Sequence, residues 1–226
     1  MTFDPAITQD QFHQFSATVA QAIFPTPVNP ARGGGLLGFD VGVAATAIPI
    51  DDNQAWWVNS VASRSDLTTS GYLVVPRIVA SKGIVFGTLS ASFAKIPNSD
   101  VKMIGGALDV PIIDGGLVKP TLAVRASYGQ ISGVDVFDLK TYGAEIFLSK
   151  GIGPITPYAG AGITRTNAKG TIESSAIGGA PVTLSDDFQQ GRYTLGVRLS
   201  LLIPKIVIEA TQSETRSYAA KVSFGF

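Results

Sequence analysis

Cysteine, charge and long hydrophobic runs are all scarce in this chain of 226 residues. It contains no cysteine, so no disulfide can hold its fold together. Charged residues make up 15 % of the chain, against roughly 25 % in an average soluble protein. No apolar run reaches the roughly 20 residues that a transmembrane helix needs. The mean hydropathy of +0.28 therefore reflects apolar residues dispersed along the chain.

Histidine is almost absent as well, and this limits the chemistry that the chain can perform. His13 is the one histidine, and it falls in the N-terminal region. We therefore expect neither a Ser-His-acid site nor a His-Asp pair on an outer rim, and we predict no enzyme activity, cofactor or metal site. The adjacent acids at 51–52 and 186–187 lack further oxygen ligands at fixed spacing, so we interpret them as solvated loop ends. The 17 basic and 17 acidic residues balance, which does not favour a nucleic-acid partner.

The last eleven residues, 216–226, alternate strictly between an apolar and a polar set. The apolar positions are Tyr218, Ala220, Val222, Phe224 and Phe226. A strand with two such different faces lies between an apolar and a polar environment. Those environments are the core and the water of a soluble sandwich, or the lipid and the lumen of an outer-membrane barrel.

A final phenylalanine preceded by alternating aromatic and aliphatic residues resembles the last strand of the bacterial outer-membrane β-barrel superfamily. The matching positions are Tyr218, Val222, Phe224 and Phe226, with Ala220 between them. The resemblance implies an assembly signal that a barrel-assembly machinery recognises. It also implies that outer-membrane lipids surround the protein, which we expect to be a monomer. No basic region followed by an apolar core precedes the helix, so we expect a mature form without signal peptide, with Met1 as an added start residue.

Alternating runs continue upstream and predict an all-β, antiparallel up-and-down transmembrane barrel over residues 34–226. Each run has roughly the 9 to 11 residues that cross a bilayer obliquely. The predicted strands are 36–48, 71–81, 84–95, 100–111, 117–129, 137–150, 154–166, 191–202, 205–213 and 216–226. This count is ten, with eight or twelve as alternatives. Tight turns at 81–83, 114–116, 151–154 and Pro204 alternate with longer connections at 49–70, 129–136 and 167–190.

Most predicted strands place one charged residue on the face opposite the lipid. In strand order these residues are Asp40, Arg77, Asp109, Arg125, Glu145, Arg198, Glu209 and Lys221. Lys102 lies on the opposite parity from Asp109, so a bulge is expected between them. A soluble sandwich could not bury eight charges, whereas a narrow barrel pairs acids with bases on neighbouring strands. The predicted lumen network is either a structural stopper or a gate that opens by exchanging partners.

Residues 1–33 form a separate unit, with an amphipathic helix over 4–24 and a Pro- and Gly-rich linker. Phe12, Phe15, Val19 and Ile23 follow helical spacing, and Thr8 with Gln11 forms a candidate capping box. We expect this helix on the periplasmic side, as a plug or lid, or else on the membrane interface or barrel mouth.

Trp56 and Trp57, with Tyr72, Tyr128 and Tyr193, are expected in an outer aromatic girdle.

Two classes of function remain open from the sequence. The first is a narrow or plugged passive channel for small or amphipathic solutes. The second is a non-conducting structural or adhesion barrel that acts through its extracellular loops. A soluble lipid-binding β protein is a third, weaker alternative.

Overall fold

The computed structural model describes residues 3–31, 35–51, 53–61, 68–69, 71–95, 101–116, 119–172 and 180–225. Within these ranges the helices are α1 (Gln9–Ile23) and α2 (Ala55–Val61). The strands are β1 (Phe39–Pro49), β2 (Thr68–Thr69), β3 (Tyr72–Ile84), β4 (Gly87–Lys95), β5 (Lys102–Ile113), β6 (Thr121–Ser132), β7 (Phe137–Ser149), β8 (Ile155–Ile172), β9 (Val182–Ser200), β10 (Pro204–Gln212) and β11 (Arg216–Gly225).

Ten of these strands form a closed up-and-down barrel, as the alternating pattern predicts. Each consecutive pair from β3 to β11 is antiparallel, and β1 closes the ring by pairing with both β3 and β11. The two-residue β2 pairs only with the start of β3 and takes no part in the closure. Closure leaves the ten strands without a free edge, so each backbone can satisfy its hydrogen bonds within the sheet.

The barrel has a short-turn end and a long-connection end. β1 starts and β11 ends at the short-turn end, which also carries the connections 85–86, 114–120, 150–154 and 201–203. The predicted tight turn at 81–83 is wrong, because β3 continues to Ile84. Ser81 stays inward and hydrogen-bonds Ser90 on β4 at 2.8 Å, while Lys82 points outward, so the alternation persists through these residues.

β8 and β9 are much longer than predicted, with 18 and 19 residues. The described part of the expected long loop over 167–190 is therefore mostly strand. β7 pairs with β8 as far as Gly170, whereas β9 continues beyond its pairing with β10, which ends at Tyr193. We call residues 137–140, 165–172 and 182–189 the collar, since they lie at the mouth at the long-connection end.

The predicted bulge between Lys102 and Asp109 is absent. The register of β5 shifts only at Pro111/Ile113, and Lys102 points outward near the end of the strand at the long-connection end.

Below the collar, the outward faces of the strands form an apolar belt. The belt is bounded on the collar side by exposed tyrosines on β3, β6, β7, β9 and β11, namely Tyr72, Tyr128, Tyr142, Tyr193 and Tyr218. About nine strand residues tilted by roughly 40° rise about 23 Å, close to the height of the apolar band of a membrane barrel. Trp56 and Trp57 are not in this ring, because they lie on α2 and pack against the cluster around α1. Neither helix in the described part of the chain has the length and hydrophobicity to cross a membrane.

The N-terminal segment lies inside the barrel, which is the plug alternative of the sequence-based expectation. α1 sits at the long-connection end, where His13 contacts Asp186 of β9 and Glu214 in the β10–β11 connection. The chain then descends through the lumen as residues 24–31, which are all buried, and reaches β1 at the short-turn end. We call residues 3–31 the plug.

Local sequence explains where α1 begins. Thr8 is the N-cap, its side chain accepts a hydrogen bond from Gln11 N at 3.3 Å, and the Gln11 side chain accepts one from Thr8 N at 3.2 Å. This is the predicted capping box, four residues further along than the predicted helix start. Every residue of α1 from Phe15 to Ile23 is buried, including Ser16 and Gln21 on the polar face. A helix buried on all sides is enclosed by the barrel rather than lying on a surface.

Candidate functional site

Among the described residues, the lumen wall between the plug and the strands holds ten buried charged side chains. The eight predicted residues are all among them, with exposed fractions of 1 to 6 %. The other two, Arg192 on β9 and Lys205 on β10, were missed by the sequence analysis. Both share the inward parity of a predicted residue, Arg198 and Glu209 respectively, so the alternation alone could have located them.

Asp40 forms the charge cluster nearest the short-turn end. Its carboxylate lies 3.0 Å from Lys221 Nζ and 3.3 Å from Lys205 Nζ, and it accepts a hydrogen bond from Ser223 at 2.9 Å. Lys221 also donates to the backbone oxygen of Pro27 in the plug at 2.9 Å. β1 and β11 are neighbours in the sheet, so the pairing of Asp40 with Lys221 follows from the closure of the barrel.

Asp109 and Arg125 face each other across the β5–β6 pair and form a bidentate ion pair. Arg125 Nε and Nη2 donate to the two carboxylate oxygens at 2.6 and 3.0 Å. The guanidinium also stacks on Phe147, with 4.4 Å to the ring centroid, and donates to the backbone oxygen of Asn29 at 2.9 Å. Arg125 is 1 % exposed, so its charge is compensated almost entirely by these partners.

Glu145 pairs with Arg192 and not with a predicted base. Arg192 Nε lies 3.2 Å from Glu145 Oε1. The same guanidinium donates to Gln21 Oε1 of the plug at 2.7 Å and stacks on Phe24 at 4.0 Å. Gln21 in turn donates to Ser217 on β11 at 2.6 Å. One arginine thus connects a wall carboxylate to the helix that fills the mouth.

Arg77 binds the C-terminal end of α1. Its guanidinium donates to the backbone oxygens of Ala22 and Phe24, both at 2.7 Å, and to Thr46 at 2.9 Å. The last carbonyl groups of a helix have no partner within the helix and carry partial negative charge. Arg77 satisfies two of these acceptors, and its charge complements the helix dipole. The sequence could not predict this contact because it left open whether the helix lies in the lumen, on the barrel mouth or on the membrane interface.

Glu209 and Arg198 complete the wall around the descending part of the plug. Glu209 accepts hydrogen bonds from Thr26 and from Tyr158, both at 2.8 Å. Arg198 contacts Asn29 Oδ1 at 3.5 Å and Thr156 at 3.3 Å. The wall therefore holds the plug at several heights, mostly through neutral groups of the plug.

The wall also leaves space for the plug at two glycines. A Cβ at Gly105 of β5 would lie 2.4 Å from Pro25 Cβ, and one at Gly143 of β7 would lie 2.6 Å from Phe24 Cζ. Both distances are too short for any side chain, so these positions admit the plug only as glycine. A cavity of about 30 Å³ beside Pro27 and Asn29, near the short-turn end, has room for about one water molecule.

His13 lies between two carboxylates at the mouth, which corrects the expectation that no His-Asp pair exists on the rim. Nδ1 is 2.7 Å from Asp186 and Nε2 is 3.2 Å from Glu214, while the ring packs edge-on against Phe188. Because both nitrogens face carboxylates, neither is directed at a hydroxyl that it could activate as a base. The contact ties the plug to the collar.

The residues of the predicted assembly signal face outward on β11. Tyr218, Val222 and Phe224 are 48 %, 51 % and 57 % exposed, on the belt side of the strand. Phe226 lies outside the described residues. This placement agrees with a lipid-facing last strand, while recognition by an assembly machinery stays a prediction.

Comparison with known proteins finds likeness in barrel architecture alone. No family model matches the chain, and no curated protein matches it. The N-terminal β-barrel domain of Pseudomonas aeruginosa OprF is similar at 11 % identity and a TM-score of 0.38, covering 83 % of this chain and 97 % of that one. Neisserial surface protein A has 14 % identity and a TM-score of 0.35, covering 84 % and 97 %. The β domain of the Bordetella autotransporter BrkA has 10 % identity and a TM-score of 0.39, covering 84 % and 99 %. What they share with this chain is a β-barrel, and in this chain the strand order and register establish a closed antiparallel barrel.

Proposed function

We propose that the protein is an outer-membrane channel for small solutes that its own N-terminal segment keeps closed. The observation that carries this proposal is the burial of residues 15–31 along the barrel axis, against a wall of charged side chains. A barrel that only needed a solid interior could fill it with side chains of its strands. Here the strands instead carry glycines where the plug passes.

The plug is bound in a way that allows it to leave. Wall residues donate to its backbone oxygens and to neutral side chains, as with Arg77, Arg125 and Lys221. Two wall ion pairs, Asp109–Arg125 and Glu145–Arg192, do not require the plug for their charge balance. Removing the plug therefore exposes a wall that is already largely paired, and water replaces the lost hydrogen bonds.

The experiment is single-channel recording on the full chain with matched glycine variants. Gly105→Val collides with Pro25, whereas a Cβ at Gly151 would meet nothing within 4 Å. We expect rare openings from the wild type and from Gly151→Val, and frequent openings from Gly105→Val. A thiol placed at position 31 reports whether the plug has left the lumen. If this thiol reacts in a folded Gly105→Val barrel and no current flows, the barrel does not conduct without its plug.

A second variant tests the same closure without steric strain. The Gln21 and Ser217 side chains touch at 2.6 Å, and the chain has no other thiol to interfere with cysteines placed there. The recordings are made in mild urea. A cleavable bifunctional thiol reagent that joins Gln21→Cys to Ser217→Cys should abolish the channel openings under this condition. Reductive cleavage should restore them. Openings that persist while the crosslink is intact would mean that current does not pass through the lumen.

One feature favours the alternative of a non-conducting adhesion barrel. The β8–β9 hairpin projects beyond the belt, and its outward face carries polar side chains such as Arg165 and Lys169. Such a surface is suited to contact with molecules outside the cell. Silence from every variant above would make this hairpin the place to search for function.

A further inference from the structure

The ten buried charges of the lumen wall do not balance. Six are basic and four are acidic, so the wall has a net charge of +2. The sequence analysis counted four of each sign because it missed Arg192 and Lys205. Residues 11–31 contain no Asp, Glu, Lys or Arg, so the part of the plug that fills the lumen does not offset this excess.

The excess positive charge faces the space that the plug occupies. Arg77, Arg125 and Lys221 each direct an N–H donor at backbone oxygens of the plug, over distances of 2.7 to 2.9 Å. These oxygens belong to Ala22, Phe24, Asn29 and Pro27, and they occupy successive positions along the lumen. A carbonyl oxygen carries partial negative charge, so these positions are already built to receive anionic oxygen atoms.

The wall carboxylates are arranged differently. Asp40, Asp109 and Glu145 each lie against a basic side chain at 2.6 to 3.3 Å. Glu209 contacts the plug, through the hydroxyl of Thr26. A cation in the emptied lumen would therefore meet carboxylates that are mostly neutralised. An anion would meet Arg77, which has no ion pair among the described residues, together with Arg125 and Lys221, which keep their aspartates and each lose one plug acceptor.

We propose that the unplugged lumen conducts small anions, oxyanions included, in preference to cations. This inference rests on the proposed channel function. Two unit charges, each about 7 Å from an ion in a water-filled lumen, favour an anion over a cation by about fiftyfold without screening and by about sevenfold at about 0.1 M salt. Charged rings of this kind set ion preference in other pores.

The test is the reversal potential of Gly105→Val channels in a potassium chloride gradient at low salt. We expect chloride to permeate at least about seven times as well as potassium. Inorganic phosphate added to one chamber should reduce the chloride current, since its oxygens occupy the positions of the plug carbonyls. The double variant Arg77→Gln/Lys221→Gln, in the same background, removes two charges and should bring the ratio near one. Lys169→Gln, on the outside of the collar, should leave the ratio unchanged.

The outcomes separate this inference from the function on which it rests. Current without ion preference, or with a preference for potassium, overturns the anion inference and leaves the channel in place. Absence of current from a folded, unplugged barrel overturns both. If the double variant does not fold, the reversal potential of Gly105→Val alone still decides the question.

Discussion

The belt and the collar have opposite polarity, although the same strands run through both. On β8 the outward positions Ile155 to Ile163 are apolar or small, and the outward positions from Arg165 to Thr171 are polar. The inward positions change in the reverse sense, from Thr156 and Thr164 to Ala168 and Ile172. The same change in polarity occurs along β7, where the chain runs from the collar to the belt because β7 is antiparallel to β8.

This inversion reports a change of surroundings on both sides of the wall. In the belt the exterior meets lipid, and the interior carries the charges that bind the descending plug. In the collar the exterior meets water and the interior packs on α1, whose Phe12 and Phe15 form an aromatic cluster with Phe137. A strand therefore continues while its polar and apolar faces exchange roles, and a period of two alone does not reveal where the membrane ends.

The largest expected effect compares two arginines that hold an aspartate in the same bidentate way. Arg125→Ala in the belt interior leaves Asp109 buried and unpaired, and we expect it to lower the free energy of unfolding by about 3–5 kcal/mol. Arg165 binds Asp187 on the collar exterior, where the side chains are 63 % and 48 % exposed. Arg165→Ala should leave urea unfolding in lipid unchanged, because water screens that pair. Equal effects from the two variants would show that the interior is hydrated.

A second comparison places the same lysine on the two exteriors. Ile208→Lys lies near the middle of the belt on β10, and we expect it to destabilise the inserted barrel by about 2–4 kcal/mol. Thr171→Lys on the collar exterior should have no measurable effect. The measurement is reversible unfolding from lipid vesicles. A tolerated lysine at position 208 would place that residue outside the hydrocarbon.

A third comparison removes one methylene group from the packed interior around α1 and one from the belt exterior. Ile48 is fully buried in the cluster around α1, so Ile48→Val should cost about 1 kcal/mol. Ile163 is 51 % exposed on the belt exterior, where lipid tails fill the lost volume, so Ile163→Val should cost less. Thermal unfolding of both variants in the same detergent measures the difference. The reverse order would mean that the interior at position 48 is not packed on the plug.

The smallest effect is expected at the contact between plug and collar. His13→Ala removes the contacts with Asp186 and Glu214, which are partly exposed, so the loss should stay below about 1 kcal/mol. The barrel should unfold as before, while a thiol placed on α1 should react faster with a water-soluble reagent. An unchanged reaction rate would show that His13 does not hold the plug in place.

Strict alternation was enough to predict the barrel, its ten strands and the inward position of eight charges. Inward residues of one strand are separated by an even number of positions. A strand with strict alternation, such as β11, therefore shows which of its residues face inward. The same alternation would also have placed Arg192 on the inward face. Pairing partners were harder, because Glu145 on β7 binds Arg192 on β9 across Gly162 of β8, and this alignment depends on the register of all three strands.

The position of the N-terminal segment could not be predicted from its pattern. An amphipathic helix with Phe12, Phe15 and Val19 on one face suits a membrane surface as well as a barrel mouth. Its enclosure depends on wall residues far along the chain, including Arg77 and Gly143. For the same reason residues 167–190 were predicted as a loop, since their apolar inward positions make sense only once α1 is placed beside them.

Spin-label accessibility along β8 tests the central claim most directly, because single cysteines can be placed at 156–171 in a chain that has none. The account predicts that odd positions up to 163 are accessible to oxygen in the lipid. Odd positions from 165 should be accessible to a water-soluble nickel complex, and even positions should be protected from both. Even positions between 156 and 164 that are open to the nickel complex would contradict the account, because they would show a water-filled lumen without its plug.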